Sequence, residues 1–198
     1  VNDWAGADLS LSWNDHHGDF SYGVYANASY LTSKVIKDDQ DWQRYDYLYH
    51  KGNRVGQCYG LEAEGFFFSE GDIRSTVTHT FATVQPGDIK YVDQNDDFQI
   101  TDEDIVPIGY STIPEWYYGF GLSFGWKGFK VSAAFQGVGH LTVNMLNSPL
   151  YKPLVSNGNL SRSFLSKETP WTLENSESAT VPRLTTVSNA NNYRNNSV

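Results

Sequence analysis

The sequence predicts an all-β fold: a partial antiparallel transmembrane β-barrel of two hairpins and four strands, with two long extracellular loops. Three observations carry the prediction. Apolar and small or polar residues alternate with period two in several stretches, as side chains on a strand must if the two faces meet different surroundings. Aromatic residues gather at both ends of the strand that begins at Trp116, as they do in the interfacial girdles of outer-membrane barrels. Connections alternate between short and long, matching the short periplasmic turns and long outer loops of such barrels.

The expected strands lie near 7–15, 20–36, 115–126 and 129–138. In the first, Leu9, Leu11 and Trp13 share one face and Ser10 and Ser12 the other. His16-His17-Gly18-Asp19 follows as a short polar turn. Adjacent histidines on an extended chain point to opposite faces, so a solvated turn is expected rather than a metal site. The second strand sets Phe20, Tyr22, Val24, Ala26, Ala28 and Tyr30 against Ser21, Gly23, Tyr25, Asn27 and Ser29. It exceeds the roughly 9–11 residues that cross a bilayer, so one end is expected to project beyond the membrane.

The third strand places Trp116, Tyr118, Phe120, Leu122, Phe124 and Trp126 on one face and Tyr117, Gly119, Gly121, Ser123 and Gly125 on the other. Lys127-Gly128 forms a tight turn. In the fourth strand Phe129, Val131, Ala133 and Phe135 then oppose Lys130, Ser132, Ala134 and Gln136. A soluble β-sandwich shows the same period, so alternation alone leaves both folds open. The asymmetry of the connections favours the barrel, with residues 38–114 and 139–198 as the outer loops.

Residues 38–114 read as irregular, with a short helix expected near Ser69-Glu70-Gly71-Asp72. Trp42, Tyr45, Tyr47 and Tyr49 form an aromatic run that suits a strand, a packing surface or a contact for a sugar or a partner. Residues 139–198 are rich in Asn and Ser, are punctuated by Pro149, Pro153, Pro170 and Pro182, and read as loop throughout.

Composition narrows the function classes. A net charge of -9 and a pI near 4.9 argue against nucleic acid as a partner, because phosphate binding needs a basic surface. The single cysteine, Cys58, allows no internal disulfide. No run of about 18 apolar residues occurs, which excludes a transmembrane helix but not a barrel. The chain opens Val1-Asn2-Asp3, without a methionine or a signal peptide, and is expected to be processed or to be a piece of something larger.

The strongest chemical motif is the twelve-residue stretch Asp93 to Asp104. Calcium takes about six to eight hard oxygens, which a loop of this length supplies from positions 1, 3, 5, 7, 9 and 12. These positions are Asp93, Asn95, Asp97, the Gln99 carbonyl, Thr101 and Asp104. Two features depart from the pattern: Phe98 stands where glycine usually makes the sharp turn, and Asp104 is shorter than the usual bidentate Glu. The competing reading is a solvated acidic loop.

No nucleophile–base constellation is legible. No serine sits in a Gly-x-Ser-x-Gly setting, and Cys58 has no evident histidine partner. Glu62 and Glu64 share a face of a possible strand, where solvation is the ordinary explanation. No enzymatic activity is expected.

Several stretches together resemble the C-terminal part of the SusC/RagA-like TonB-dependent outer-membrane transporters. The similarity rests on Pro86-Gly87-Asp88-Ile89-Lys90-Tyr91, Asp93, Asn95 to Asp97, Ile108-Gly109, Tyr118-Gly119-Phe120, Lys127-Gly128-Phe129 and Phe135-Gln136-Gly137. Phe20-Ser21-Tyr22, Asn27, Ser29-Tyr30, Tyr59-Gly60 and Gly65-Phe66 add to it, as do Trp171, Glu174-Asn175 and Pro182-Arg183-Leu184. The matches run in family order across nearly the whole chain.

The resemblance implies a barrel of about 22 strands with a plugged lumen in the outer membrane. It also implies a SusD-like surface lipoprotein at the outer face, energy from the TonB complex, and uptake of oligosaccharides or peptides. Only four strands and two loops of such a barrel would lie in this chain, without plug, TonB box or final strands. The alternative from another class is a soluble, calcium-stabilised β-module that binds glycan on its aromatic loops. The direction faced by Trp116, Phe120 and Phe124 separates the two.

Overall fold

The computed structural model describes residues 1–144, 160, 162–187, 189–192 and 196–197. The chain is nearly all-β and divides into two compact units. One comprises Val1–Gln40, His50–Gln57 and Gly109–Thr142; the other comprises Asp41–Tyr49, Cys58–Ile108 and Val143–Val198.

The first unit is a four-stranded antiparallel sheet built from the four expected strands. They are β1 (Asn2–His17), β2 (Phe20–Val35), β8 (Trp116–Trp126) and β9 (Phe129–Gly139), in the order β1-β2-β8-β9. β1 begins five residues before the alternation does, because its ladder with β2 continues unbroken to Asn2↔Val35. Backbone pairing needs no alternating side chains, so that end leaves no mark in the sequence pattern. The first turn is likewise tighter than expected. His16 and His17 pair with Ser21 and Phe20 inside the ladder, leaving only Gly18-Asp19 to turn. At the second turn Lys127 and Gly128 both have positive φ, +44° and +89°. Two such residues give the two-residue turn whose twist matches the flanking strands.

The second unit corrects the expectation of an irregular loop. It has its own core of Leu61, Ile89, Tyr91 and Ile100, against which Ala63, Phe66, Val77, Phe81 and Ile105 pack. β3 (Gln57–Phe66) pairs antiparallel with β5 (Ile89–Tyr91) through a register shift between Ala63 and Gly65. β7 (Val106–Ser111) also pairs with β3, and β10 (Asn196–Ser197) lies parallel to it. β4 (Thr78–His79) pairs with β6 (Gln99–Ile100). β4, β5, β6 and β10 have only two or three residues, too short to show a period, whereas Glu62 and Glu64, which share a face of a possible strand in the sequence, lie in the ten-residue β3. His79 is buried within this unit. Its Nε2 accepts from the Tyr91 N–H, its Nδ1 lies 3.2 Å from the Val77 carbonyl oxygen, and burial holds its imidazole below the usual range.

The helix expected near Ser69 is α1 (Glu70–Ser75), where the Ser69 hydroxyl accepts from the Asp72 N–H at 3.2 Å as an N-cap. The aromatic run is not a strand. Asp46–Leu48 form a 3₁₀ turn, and the rings of Tyr45 and Tyr47 stack 5.4 Å apart. The tail is not loop throughout, since α2 spans Arg162–Lys167. Pro149 and Pro153 lie outside the described residues.

Candidate functional site

Two features carry chemistry: the two-faced sheet of the first unit and the acidic loop of the second. The sheet's register aligns like with like across all four strands. One set of rows reads Leu11–Ala26–Phe120–Phe135, then Trp13–Val24–Leu122–Ala133, then His17–Phe20–Trp126–Phe129. The interleaved set reads Ser10–Asn27–Gly119–Gln136, Ser12–Tyr25–Gly121–Ala134 and Asn14–Gly23–Ser123–Ser132. The apolar side chains are exposed, among them Leu11, Trp13, Phe120, Leu122, Phe124 and Trp126.

Aromatic contacts close both ends of the apolar face. Phe20 meets Phe124 edge-on at 4.4 Å near the turns, and Tyr30 meets Trp116 at 4.7 Å at the far end. Ten residue steps separate Trp116 from Trp126, or about 34 Å along the strand, which at a tilt of about 40° spans roughly 26 Å. The apolar band of an outer-membrane barrel is about 25 Å tall. On the opposite face a Cβ at Gly121 would overlap the ring of Tyr25. Glycine there lets that ring lie flat on the neighbouring strand.

The acidic loop is ordered by hydrogen bonds among its own residues. Asp93 Oδ2 accepts from the Phe98 N–H at 2.8 Å, Asn95 Oδ1 from Asp97 at 2.9 Å, and Asp97 Oδ1 from Gln99 at 2.9 Å. Asp104 is fully buried; its two oxygens accept from Gln94 at 2.9 Å and Thr101 at 2.7 Å. Burial raises its carboxyl above the usual range, against the opposing effect of those two N–H groups. Thr101 caps the 3₁₀ turn Asp102–Asp104, with its hydroxyl accepting from Glu103.

The Oδ1 atom of Asp93 is buried and has no hydrogen-bond partner. An orphaned carboxylate oxygen is costly unless a cation answers it, so the residues present fit a hard divalent ion. Among the described residues no cluster of His, Cys, Asp and Glu alone makes a metal site. This loop would draw also on Asn95, Thr101 and the Gln99 carbonyl.

Phe98 adopts the conformation that glycine usually supplies, with φ +65°, and Asp96 has φ +58°. The side chain of Phe98 is 75% exposed, so the loop keeps its path while this residue bears the strain. Left-handed backbone costs a non-glycine residue about 1–2 kcal/mol, and glycine's extra freedom in the unfolded chain returns roughly 0.5–1. Phe98→Gly is therefore expected to stabilise the second unit by about 0.5–1 kcal/mol. Urea unfolding of the whole protein checks this; a lower midpoint in the variant would refute it.

The other acidic and thiol residues singled out in the sequence have their own surroundings. Glu64 pairs with Lys90 at 3.1 Å, and Glu62 accepts from Gln94 at 3.0 Å. Burial pushes the Cys58 thiol up.

Two polar clusters escaped the sequence reading. Glu115 is buried between Arg54 and His140, and Tyr110 stacks on His140 at 4.6 Å. Asp88 is wholly buried and binds Arg183 Nε at 2.6 Å, Asn192 Nδ2 at 2.9 Å and the Gln85 N–H at 2.8 Å. Gly87 beside it has φ +87°, and a Cβ there would strike the ring of Trp171. Pro86-Gly87-Asp88 and Pro182-Arg183 are thus two halves of one junction, separated by 95 residues between Asp88 and Arg183. Their only sequence signal is a short motif at each end.

No protein-family model matches this sequence, and no curated protein sequence does. Solved structures do match. The RagAB peptide importer in its closed-closed state aligns with a TM-score of 0.59 and 18% identity over 98% of this chain and 21% of that one. In its open-open state it aligns with a TM-score of 0.62 and 20% identity over 96% of this chain and 20% of that one. A third RagAB peptide transporter structure gives 0.62 and 19%. This chain spans about a fifth of the length of the chains it matches. The likeness is one of fold: strands and loops together, this chain follows the path of that stretch of a peptide importer.

Proposed function

We propose that this chain forms part of the barrel wall and two outer loops of an energy-coupled outer-membrane transporter that imports oligosaccharides or peptides. One observation carries the reading. The sheet exposes a continuous apolar face about as tall as a bilayer core, belted by aromatics at both ends, with a polar, glycine-rich face behind it. A soluble glycan-binding module would bury that face against a second sheet. The fold shared with RagAB supports the same reading.

In this role the apolar face meets lipid and the Gly119–Gly121 face lines the lumen. The second unit stands among the outer loops, where substrate capture and docking of a SusD-like lipoprotein take place. The TonB complex would act through parts of the protein beyond this chain. Calcium, held by Asp93, Asn95, Asp97, the Gln99 carbonyl, Thr101 and Asp104, would fix the acidic loop. No residue is assigned a catalytic role.

Two measurements test the reading. With Cys58 replaced by Ser, an environment-sensitive dye on Leu122→Cys is expected to be quenched by doxyl-labelled lipid. The same dye on Ser132→Cys should be quenched by a water-soluble agent instead. Equal quenching at both sites would overturn the membrane wall. Calorimetric titration with calcium should give a binding heat that Asp93→Ala abolishes; no heat above the buffer blank would remove the ion from the scheme.

A further inference from the structure

The aromatic run and the acidic loop are separate in sequence, yet the structure joins them. The Tyr47 hydroxyl donates to the backbone carbonyl of Glu103 at 2.6 Å, across 56 residues. That carbonyl belongs to the 3₁₀ turn Asp102–Asp104, bounded by the Thr101 cap and ending on buried Asp104. Arg44 reaches the Glu103 carboxylate at 3.4 Å and also lies over the ring of Tyr45, 5.3 Å from its centre. Tyr45 stacks nearly parallel on Tyr47, and the Tyr49 hydroxyl accepts from the Gln43 N–H at 2.9 Å to close the segment. Trp42 stands at its edge, 80% exposed.

We propose that residues 41–49 are the outer support of the cation loop, with Tyr47 as its positioning residue, so that a divalent cation in the loop orders this aromatic surface. The inference rests on the cation reading given above. A cation that engages Asp104 and Thr101 fixes the turn between them, and that turn holds the carbonyl on which Tyr47 hangs. Tyr47 anchors Tyr45 by stacking, and Tyr45 anchors Arg44.

Acidic groups of the loop also act on Tyr47 directly. Burial first, and then Asp104, Tyr45, Glu103 and Asp93 in that order, push its phenol up to about 12, so it stays a hydrogen-bond donor throughout the physiological range. The Arg44–Glu103 pair is exposed on both sides and adds little by itself. Tyr47 is therefore the residue to test.

Linkage makes the effect reciprocal: if the cation orders the segment, losing the segment's anchor must weaken the cation. Tyr47→Phe keeps the ring and its stacking and removes one hydroxyl. In the full-length protein in detergent, calcium affinity is expected to fall roughly three- to tenfold in Tyr47→Phe, less than the roughly 10- to 100-fold that direct partners of metal ligands contribute, because Tyr47 acts through the Glu103 carbonyl. Amide exchange across residues 41–49 is expected to slow when calcium is added to the wild type and to change less in the variant. Calcium binding with unchanged affinity in Tyr47→Phe, and with no slowing at 41–49, would overturn this inference and leave the cation site standing. No calcium binding in the wild type would overturn both.

Discussion

Leu122→Arg is expected to prevent assembly of the protein in a bilayer, at a cost of about 2–4 kcal/mol. Leu122 sits in the row Trp13–Val24–Leu122–Ala133, midway between the two aromatic belts. At that depth a guanidinium has neither water nor a counter-charge, and the penalty is greatest at the midplane. Ser132→Arg, in the row Asn14–Gly23–Ser123–Ser132, lies on the opposite face, which the proposed function turns away from lipid, and should assemble normally. The contrast discriminates because Leu122 is 52% exposed. On a water-facing sheet its replacement by Arg would alter stability by no more than about 0.5 kcal/mol. Folding yields of both variants into lipid vesicles, read by gel mobility with and without heating, give the answer. Equal yields would sink the membrane assignment.

What the sequence made legible is what repeats over short distances. Each long strand showed itself because the two faces meet different surroundings, and a period of two needs only one strand to be seen. The acidic loop was legible for a similar reason: its donors and acceptors lie within twelve consecutive residues, and the Asn95 and Asp97 turns are local. Phe98 read as an obstacle because propensity speaks against positive φ. In the fold the loop's own hydrogen bonds, above all Asp93 to the Phe98 N–H, hold it there.

Contacts between distant residues were invisible. Tyr45, Tyr47 and Tyr49 look like an alternating strand, but the Tyr47 bond to Glu103 and the stack on Tyr45 belong to a turn. The small second core could not be read because it joins the ten-residue β3 to the short strands β5 and β6, which show no period of their own. Its members Leu61, Ile89 and Ile100 come from segments whose apolar content is ordinary when each is viewed alone.

The Asp88 junction is the most consequential of these distant contacts, and Asp88→Ala is expected to destabilise the second unit by about 3–5 kcal/mol, the cost of leaving a buried ionic partner alone. Arg183 would keep a guanidinium whose side chain is only 25% exposed, facing a cavity where its carboxylate had been. Asn192 would lose the acceptor of its amide while its own Oδ1 still holds the Ile89 N–H at 2.9 Å. Through Asn191, whose Nδ2 donates to the Ile89 carbonyl at 2.8 Å, the disturbance reaches the open edge of β5. Two asparagine side chains cap that edge where another strand would otherwise pair.

Asp88→Asn should cost less, since it still offers an acceptor to the Gln85 N–H. Asp88→Ala with Arg183→Met should recover part of the loss, because the stranded charge is then gone. Limited proteolysis of the full-length variants, with cleavage mapped to residues 58–108, measures the order. If Asp88→Ala resists cleavage as well as wild type, the junction is not what holds this unit together. The test bears on function because the same unit carries both the acidic loop and the Trp42–Tyr49 surface. Under the proposed function, the Asp88→Ala variant should still insert in the membrane, because the four-stranded sheet lies outside this unit.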